Sequence, residues 1–258
     1  MLADFNFSYD SPIVCTAIHN GHEVSEEVLN NLAISEEIRL REEDPFTDRF
    51  ALLSSNSIIG RTSRFEVDLN RTFDNCIYLE PNDAWGLQVR KNKVTEQIIS
   101  QSQENYNEFY NLVKDHFTQM EKKFGRFFVF DIHSYNHHKK GEHAKFDDPS
   151  LNPEINIGTN NMPKRWFPLV DKVHYKLKSF NYFGRSLDVR KNIKFPGGNF
   201  SRWIHNNFPE SACCIAIEFK KFWMNEWTGI IDEDKLNKLI EAFKSTLPLI
   251  ESEIVKYK

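Results

Sequence analysis

Two runs of almost unbroken apolar residues stand out, 126–133 (RFFVFDIH) and 212–219 (ACCIAIEF). That is the pattern of central strands covered on both faces. A third β-rich run, 11–18 (SPIVCTAI), ends in the turn signal His19-Asn20-Gly21. In 64–69, Phe65, Val67 and Leu69 alternate with Glu66 and Asp68, and this period of two predicts a strand. Elsewhere the period is helical. Ile98, Ile99, Tyr106, Phe109, Tyr110, Val113, Phe117 and Met120 mark one face of a long helix from Thr95 to Phe124, with Gly125 where a C′ glycine belongs. Ser25 is a candidate N-cap for an earlier helix. A final helix is predicted from about Asp234, burying Leu236, Leu239, Ile240, Phe243, Leu247, Ile250 and Ile254. Strands separated by helices of this length favour an α/β fold with a parallel or mixed sheet between helices. Chemistry in such folds gathers at strand ends.

Composition narrows the picture. The chain has 258 residues, 40% of them hydrophobic and 22 of them Phe, enough for a substantial core and unlike a disordered chain. No linker or repeat period interrupts it, and the one notable polar tract is Asn136–Ser150, so a single catalytic domain over 1–258 is expected. A net charge of −4 without a basic cluster argues against nucleic acid as a partner. The longest purely apolar run, 212–217, falls far short of the roughly 20 residues of a membrane span. The first residues have neither the basic nor the apolar region of a signal peptide. Cys15, Cys76, Cys213 and Cys214 lack CxxC spacing; Cys213 and Cys214, adjacent inside an apolar run, read as buried thiols, and a cytoplasmic location is expected.

Four pieces carry candidate chemistry. His19 and His22, three residues apart around Gly21, follow the first strand at a spacing from which both imidazoles can reach one metal ion; an ordinary surface pair is the plainer reading. His133 ends an apolar strand, either as a satisfied core histidine or pointing into a cleft. Glu218 sits inside another, where a carboxylate is costly unless paired or used. Arg71, after Asp68-Leu69-Asn70, offers a planar fork for a carboxylate or for a structural salt bridge. A catalytic zinc site needs three protein ligands, an open position, a base and an anchor for substrate, and these pieces supply a candidate for each role. The tract His137-His138-Lys139-Lys140 is read as a solvated loop beside the cleft rather than a separate metal site. Trp203, Phe222, Trp223 and Trp227 are read as core and rim packing rather than a platform for bases.

In order along the chain, these residues resemble the N-formylglutamate amidohydrolase family, within the wider group of zinc carboxypeptidases and aspartoacylases. Arg64-Phe-Glu-Val-Asp-Leu-Asn-Arg71 is similar to the "DLNR" signature, and Asp-Ile-His133-Ser-Tyr to the strand of the third ligand. Glu154-Ile-Asn-Ile-Gly158-Thr159 resembles a short "G-T" strand end, and Phe195-Pro-Gly-Gly198-Asn-Phe-Ser-Arg202 a glycine-pair segment. The segment from Ile217-Glu218 to Met224-Asn-Glu226 is similar to the "E-x-x-x-x-x-M-x-E" ending. The first loop departs: Ile-His19-Asn-Gly-His22-Glu23 stands where the amidohydrolases usually have a Pro-His-Ser-Gly type of sequence.

The resemblance implies a zinc-exopeptidase (phosphorylase/hydrolase-like) fold, a three-layer α/β/α domain with a mixed central sheet. It implies one Zn2+ held by His19, His22 and His133, with Glu23 or a carboxylate of Glu42–Asp48 as the alternative to His22. A capping or loop-folding role is the plainer reading of that acidic stretch. Glu218 is expected as general base, and Arg71 as holder of a substrate carboxylate with Asn70 in support; Arg64 and Arg202 are further candidates for a carboxylate. The implied reaction is zinc-dependent hydrolysis of the amide of an N-acylated acidic amino acid such as N-formyl-L-glutamate, releasing formate. A carboxypeptidase-like peptidase and a non-catalytic binder of an acidic metabolite are the other readings.

Overall fold

The computed structural model describes residues 1–257; Lys258, the last residue of the expected domain, lies outside them. Its strands are β1 (Ala3–Phe7), β2 (Ile13–Ala17), β3 (Asn56–Gly60), β4 (Phe127–Tyr135), β5 (Ile155–Gly158), β6 (Val189–Lys191) and β7 (Ala212–Lys220). They form one seven-stranded sheet in the order β1-β3-β2-β4-β7-β5-β6. The middle of the sheet, β3-β2-β4-β7, is parallel, whereas β1 runs antiparallel to β3 and β5 antiparallel to β7. The sheet is therefore mixed, as expected. Every residue of β4 is buried, and so is every residue of β7 except Lys220.

The helices are α1 (Glu26–Asn31), α2 (Glu36–Glu42), α3 (Asp48–Ala51), α4 (Glu96–Phe124), α5 (Phe167–Lys178), α6 (Asn199–Asn207), α7 (Glu233–Lys244) and α8 (Leu247–Ile254). Period-2 alternation sorts the strand residues between two layers. Phe128, Phe130, Ile132, Ile215 and Ile217 face α3, α5, α7 and α8, while Phe127, Val129, Ala212 and Cys214 face α4 and α6. That is an α/β/α arrangement with a core on each side of the sheet. Among the described residues, no helix is long and apolar enough to cross a membrane. All four cysteines are buried and free.

Thr95 and Gly125 bound the long helix α4 as the pattern predicts: the Thr95 hydroxyl accepts from the Ile98 amide, and Gly125 closes the helix at φ +72°. Ser25 likewise caps α1. Two expectations need correction. Residues 64–69 are not a strand: Phe65, Val67 and Leu69 are buried, but the Glu66 and Val67 amides both turn back to the Ser63 carbonyl. The alternation records one-sided burial of a loop over the sheet end. The final helix is two helices, because Pro248 lies in the first turn of α8 and cannot continue α7.

Candidate functional site

The C-terminal ends of β2 and β4 bring His19 and His133 together, with ring centroids 4.9 Å apart. Parallel register sets Glu218 of β7 directly beside His133. On β4 the period of two puts Asp131 on the same side as His133, and its carboxylate accepts from His133 Nε2 at 3.0 Å. Asp68 plays the corresponding part for His19, accepting from Nε2 at 2.7 Å. Carboxylates have no proton to give, so each Nε2 carries the hydrogen.

The third member is Asp44, from the loop after α2. Its Oδ2 lies 3.0 Å from His133 Nδ1 and 3.6 Å from His19 Nδ1. His19, Asp44 and His133 offer donor atoms all within 4.8 Å of one another, and all three residues are buried. With its hydrogen on Nε2, His19 turns a bare Nδ1 lone pair toward a carboxylate, and that nitrogen has no hydrogen-bond partner. A buried unpartnered acceptor facing an anion is unfavourable unless a cation sits between them. Two imidazole nitrogens and a carboxylate oxygen, with carboxylates behind both rings, form a donor set that fits a divalent metal.

The charges around the cluster are strongly coupled. Burial opposes ionisation of Asp44 and Asp68. A hydrogen bond and charge from His133 nevertheless hold Asp44 below the usual carboxylate range, as the Arg64 charge and hydrogen bonds from His19 and Tyr78 do for Asp68. Burial also opposes charge on His133, but Asp131, Asp44 and Glu218 outweigh it and raise the imidazole well above its ordinary value. Burial pushes Glu218 up to about 8, with Asp44 and Asp131 adding to the rise against the pull of His133. Glu218 thus exchanges a proton in a range suited to acid–base work.

His22 is not in this cluster. A Cβ on Gly21 would lie 2.4 Å from the Arg61 carbonyl carbon, so the backbone there is pressed against a neighbouring strand end. The next residue turns outward, and the half-exposed His22 ring meets Glu43, with Glu36 at 3.3 Å and the Arg39 guanidinium at 3.2 Å. Glu23 pairs with Arg61 on the surface. The third donor beside His19 and His133 is Asp44, out of the acidic stretch whose plainer reading was loop folding. A carboxylate just after a short helix, ahead of Pro45, was the available signal, but nothing in the sequence shows which acid of that stretch turns inward.

A cleft of about 440 Å³ opens beside the cluster, with Asn70, Arg71, Asn82, Gly198, Asn199 and Arg202 on its walls. Asn70 lies between the cleft and the histidines: Oδ1 accepts from the Phe200 amide at 2.9 Å, and Nδ2 comes within 3.4 Å of His133 Nε2, whose hydrogen is already given to Asp131. Gly198 is required here, because a Cβ would fall 2.2 Å from Asn70 Oδ1. Arg71 reaches 3.7 Å from Asp68 and donates to the Asp83 carbonyl at 3.3 Å, yet stays 40% exposed to the cleft. Arg202 is exposed on α6. Arg64 is turned the other way: it is spent on Asp68 at 3.0 Å and on the Tyr78 hydroxyl at 3.0 Å, and holds the residue behind His19 rather than facing the cleft. His137 and His138 flank the Phe146 ring, away from the cluster. Trp223 is buried in the core, and Trp227 lies under the Arg41 guanidinium.

The whole architecture has solved counterparts. It matches the crystal structure of an N-formylglutamate amidohydrolase from Ralstonia eutropha at TM-score 0.76 and 16% identity, covering 97% of both chains. It also matches a gene product of Agrobacterium tumefaciens at TM-score 0.67 and 18% identity, over 97% of this chain and 96% of that one. At these identities the likeness is one of fold. A search of the curated proteins finds no match. The family model described as N-formylglutamate amidohydrolase matches residues 11–223, and the chain belongs to that family.

Proposed function

We propose that this chain is a zinc-dependent amidohydrolase that cleaves N-formyl-L-glutamate or a close N-acylated acidic amino acid, acting as one catalytic domain in the cytoplasm. The observation that carries the reading is the buried His19–Asp44–His133 set with its unpartnered His19 Nδ1, in a member of this family. Its N/O donor chemistry suits zinc. When bound there, zinc would act as a Lewis acid toward the acyl carbonyl and acidify a bound water.

The remaining work falls to the chain. Asp68 and Asp131 fix the tautomers and orientation of His19 and His133. Glu218 takes the proton of the attacking water and returns it to the leaving amine, first as base and then as acid. Arg71 holds a carboxylate of the amino-acid portion in the cleft. Arg202, on the same cleft, is placed for a second one, which would favour acidic substrates. Asn70 holds the start of α6 against the cleft through the Phe200 amide. The free, buried thiols support a reducing compartment.

The test is metal content by elemental analysis, with formate release from N-formyl-L-glutamate, on wild type and His133→Ala. Near-stoichiometric zinc and formate release, both lost in the variant, are the expected result. Zinc without formate release would move the substrate to another amide, and no zinc after reconstitution would overturn the catalytic reading.

A further inference from the structure

One buried cation near the cluster has no part in the chemistry above. Lys221 follows β7 three residues after Glu218 and is 1% exposed. Its ammonium donates to the carbonyls of Arg41 and Glu43, each at 2.7 Å. These are the last carbonyls of α2 and of the residue just before Asp44, where the helix leaves acceptors without intrahelical partners. Asn136, just beyond β4, adds a second donor to the Arg41 carbonyl at 3.0 Å. The Lys221 amide is itself tied to the Tyr135 carbonyl at 3.0 Å.

The loop so held is also anchored through its side chains, with Glu43 meeting His22 and Ser63 and the Thr47 hydroxyl donating to the Asp44 carbonyl, but of these contacts only the Lys221 ammonium grips both carbonyls that lead into Asp44. Pro45 offers no amide hydrogen, and Phe46 sits at φ +67°, a left-handed conformation unfavourable for a bulky residue. Asp44 gives its own amide to the His19 carbonyl at 3.0 Å. Lys221 therefore ties the loop to β7, the strand that carries Glu218, as the Asp44 amide ties it to the end of β2.

We propose that Lys221 is a positioning residue for Asp44: by clamping the carbonyls of Arg41 and Glu43 it sets the carboxylate at the distance from His19 and His133 that a metal requires. This rests on the metal reading above, and the test separates the two. Zinc affinity is measured by competition with a chromophoric chelator for wild type, Lys221→Met, Asp44→Ala and the double variant, with circular dichroism and thermal unfolding to establish folding. Lys221→Met is expected to weaken zinc binding about 10- to 100-fold. The same substitution is expected to have little effect once Asp44 is gone, since there is then no carboxylate to position. Wild-type affinity in folded Lys221→Met, or an equal loss in both backgrounds, would overturn the proposal while leaving the metal reading intact. A wild type that binds no zinc would sink both. If Met at 221 prevents folding, Lys221→Gln, whose shorter side chain keeps an NH2 donor group but no charge, enters the same cycle. In the unmodified protein the Lys221 ammonium resonance is expected to shift when zinc is added, and an unmoved resonance would likewise count against the clamp.

Discussion

His19 and His22 are three residues apart in one loop, yet they sit in opposite regimes. The His19 side chain is 2% exposed, with one nitrogen held by Asp68 and the other left bare toward Asp44. The His22 side chain is 34% exposed, and its nitrogens are met by Glu43, Glu36 and Arg39. The first is an incomplete arrangement set back from bulk solvent; the second is a finished local network. Spacing along a loop therefore says little about ligation, and the unsatisfied atom says much more.

That contrast can be broken most directly at its buried side. Under the zinc reading, His19→Ala should strip the metal and reduce formate release to the level of an enzyme-free control, as elemental analysis and a formate assay would report, while Asp44→Ala should abolish formate release but keep a weakened zinc affinity measurable by chelator competition. Zinc retained at wild-type level in His19→Ala would put the ligand set elsewhere. Next in size, Glu218→Gln should keep zinc but lower kcat by about 10²- to 10⁴-fold, the range for a lost general base. An accompanying loss of zinc would make Glu218 a ligand instead.

His205 extends the comparison to a buried histidine with both nitrogens engaged, by Asn161 at 3.2 Å and the Cys214 amide at 3.1 Å. Burial lowers its pKa to about 4 from 6.5. Between those values the unfolded chain binds a proton that the folded one refuses. The contribution is therefore whole above pH 6.5 and is lost as pH falls toward 4, on the order of 3 kcal/mol when complete. Urea unfolding at pH 7 and 4.5 should show the loss, and His205→Gln should flatten it; equal slopes in both proteins would refute the assignment. The smallest effect is expected at His22. His22→Ala should leave zinc content unchanged while costing about 1–3 kcal/mol of stability, because the buried Glu43 carboxylate loses a partner.

Much of the sheet was legible from the chain. The two apolar runs are the central strands β4 and β7, and their ends hold His133 and Glu218, which meet through strand register. Short edge strands such as β1 and β6 carried no such signal, since they bury only part of one face. Phe65, Val67 and Leu69 announced burial without announcing backbone, because a loop laid over a core alternates as a strand does. Pro248 was a readable break in the last helix, outweighed there by an apolar period that runs straight through it. In the site, His19 followed from a strand end. Asp44 did not, because its inward turn depends on contacts with His19 and Lys221, remote in sequence.

The cluster is drawn from the ends of β2 and β4 with β7 beside them, and all three pair in parallel. Parallel neighbours cannot be joined by a hairpin, so each pairing waits on a long excursion of chain through helices on either face of the sheet. Contacts between residues so distant in sequence form slowly. The donor set is thus complete only where the ends of β2 and β4 and the loop of Asp44 have come together. An ion that binds only there would stabilise the finished state alone. Its uptake during refolding would report the moment at which those distant parts meet.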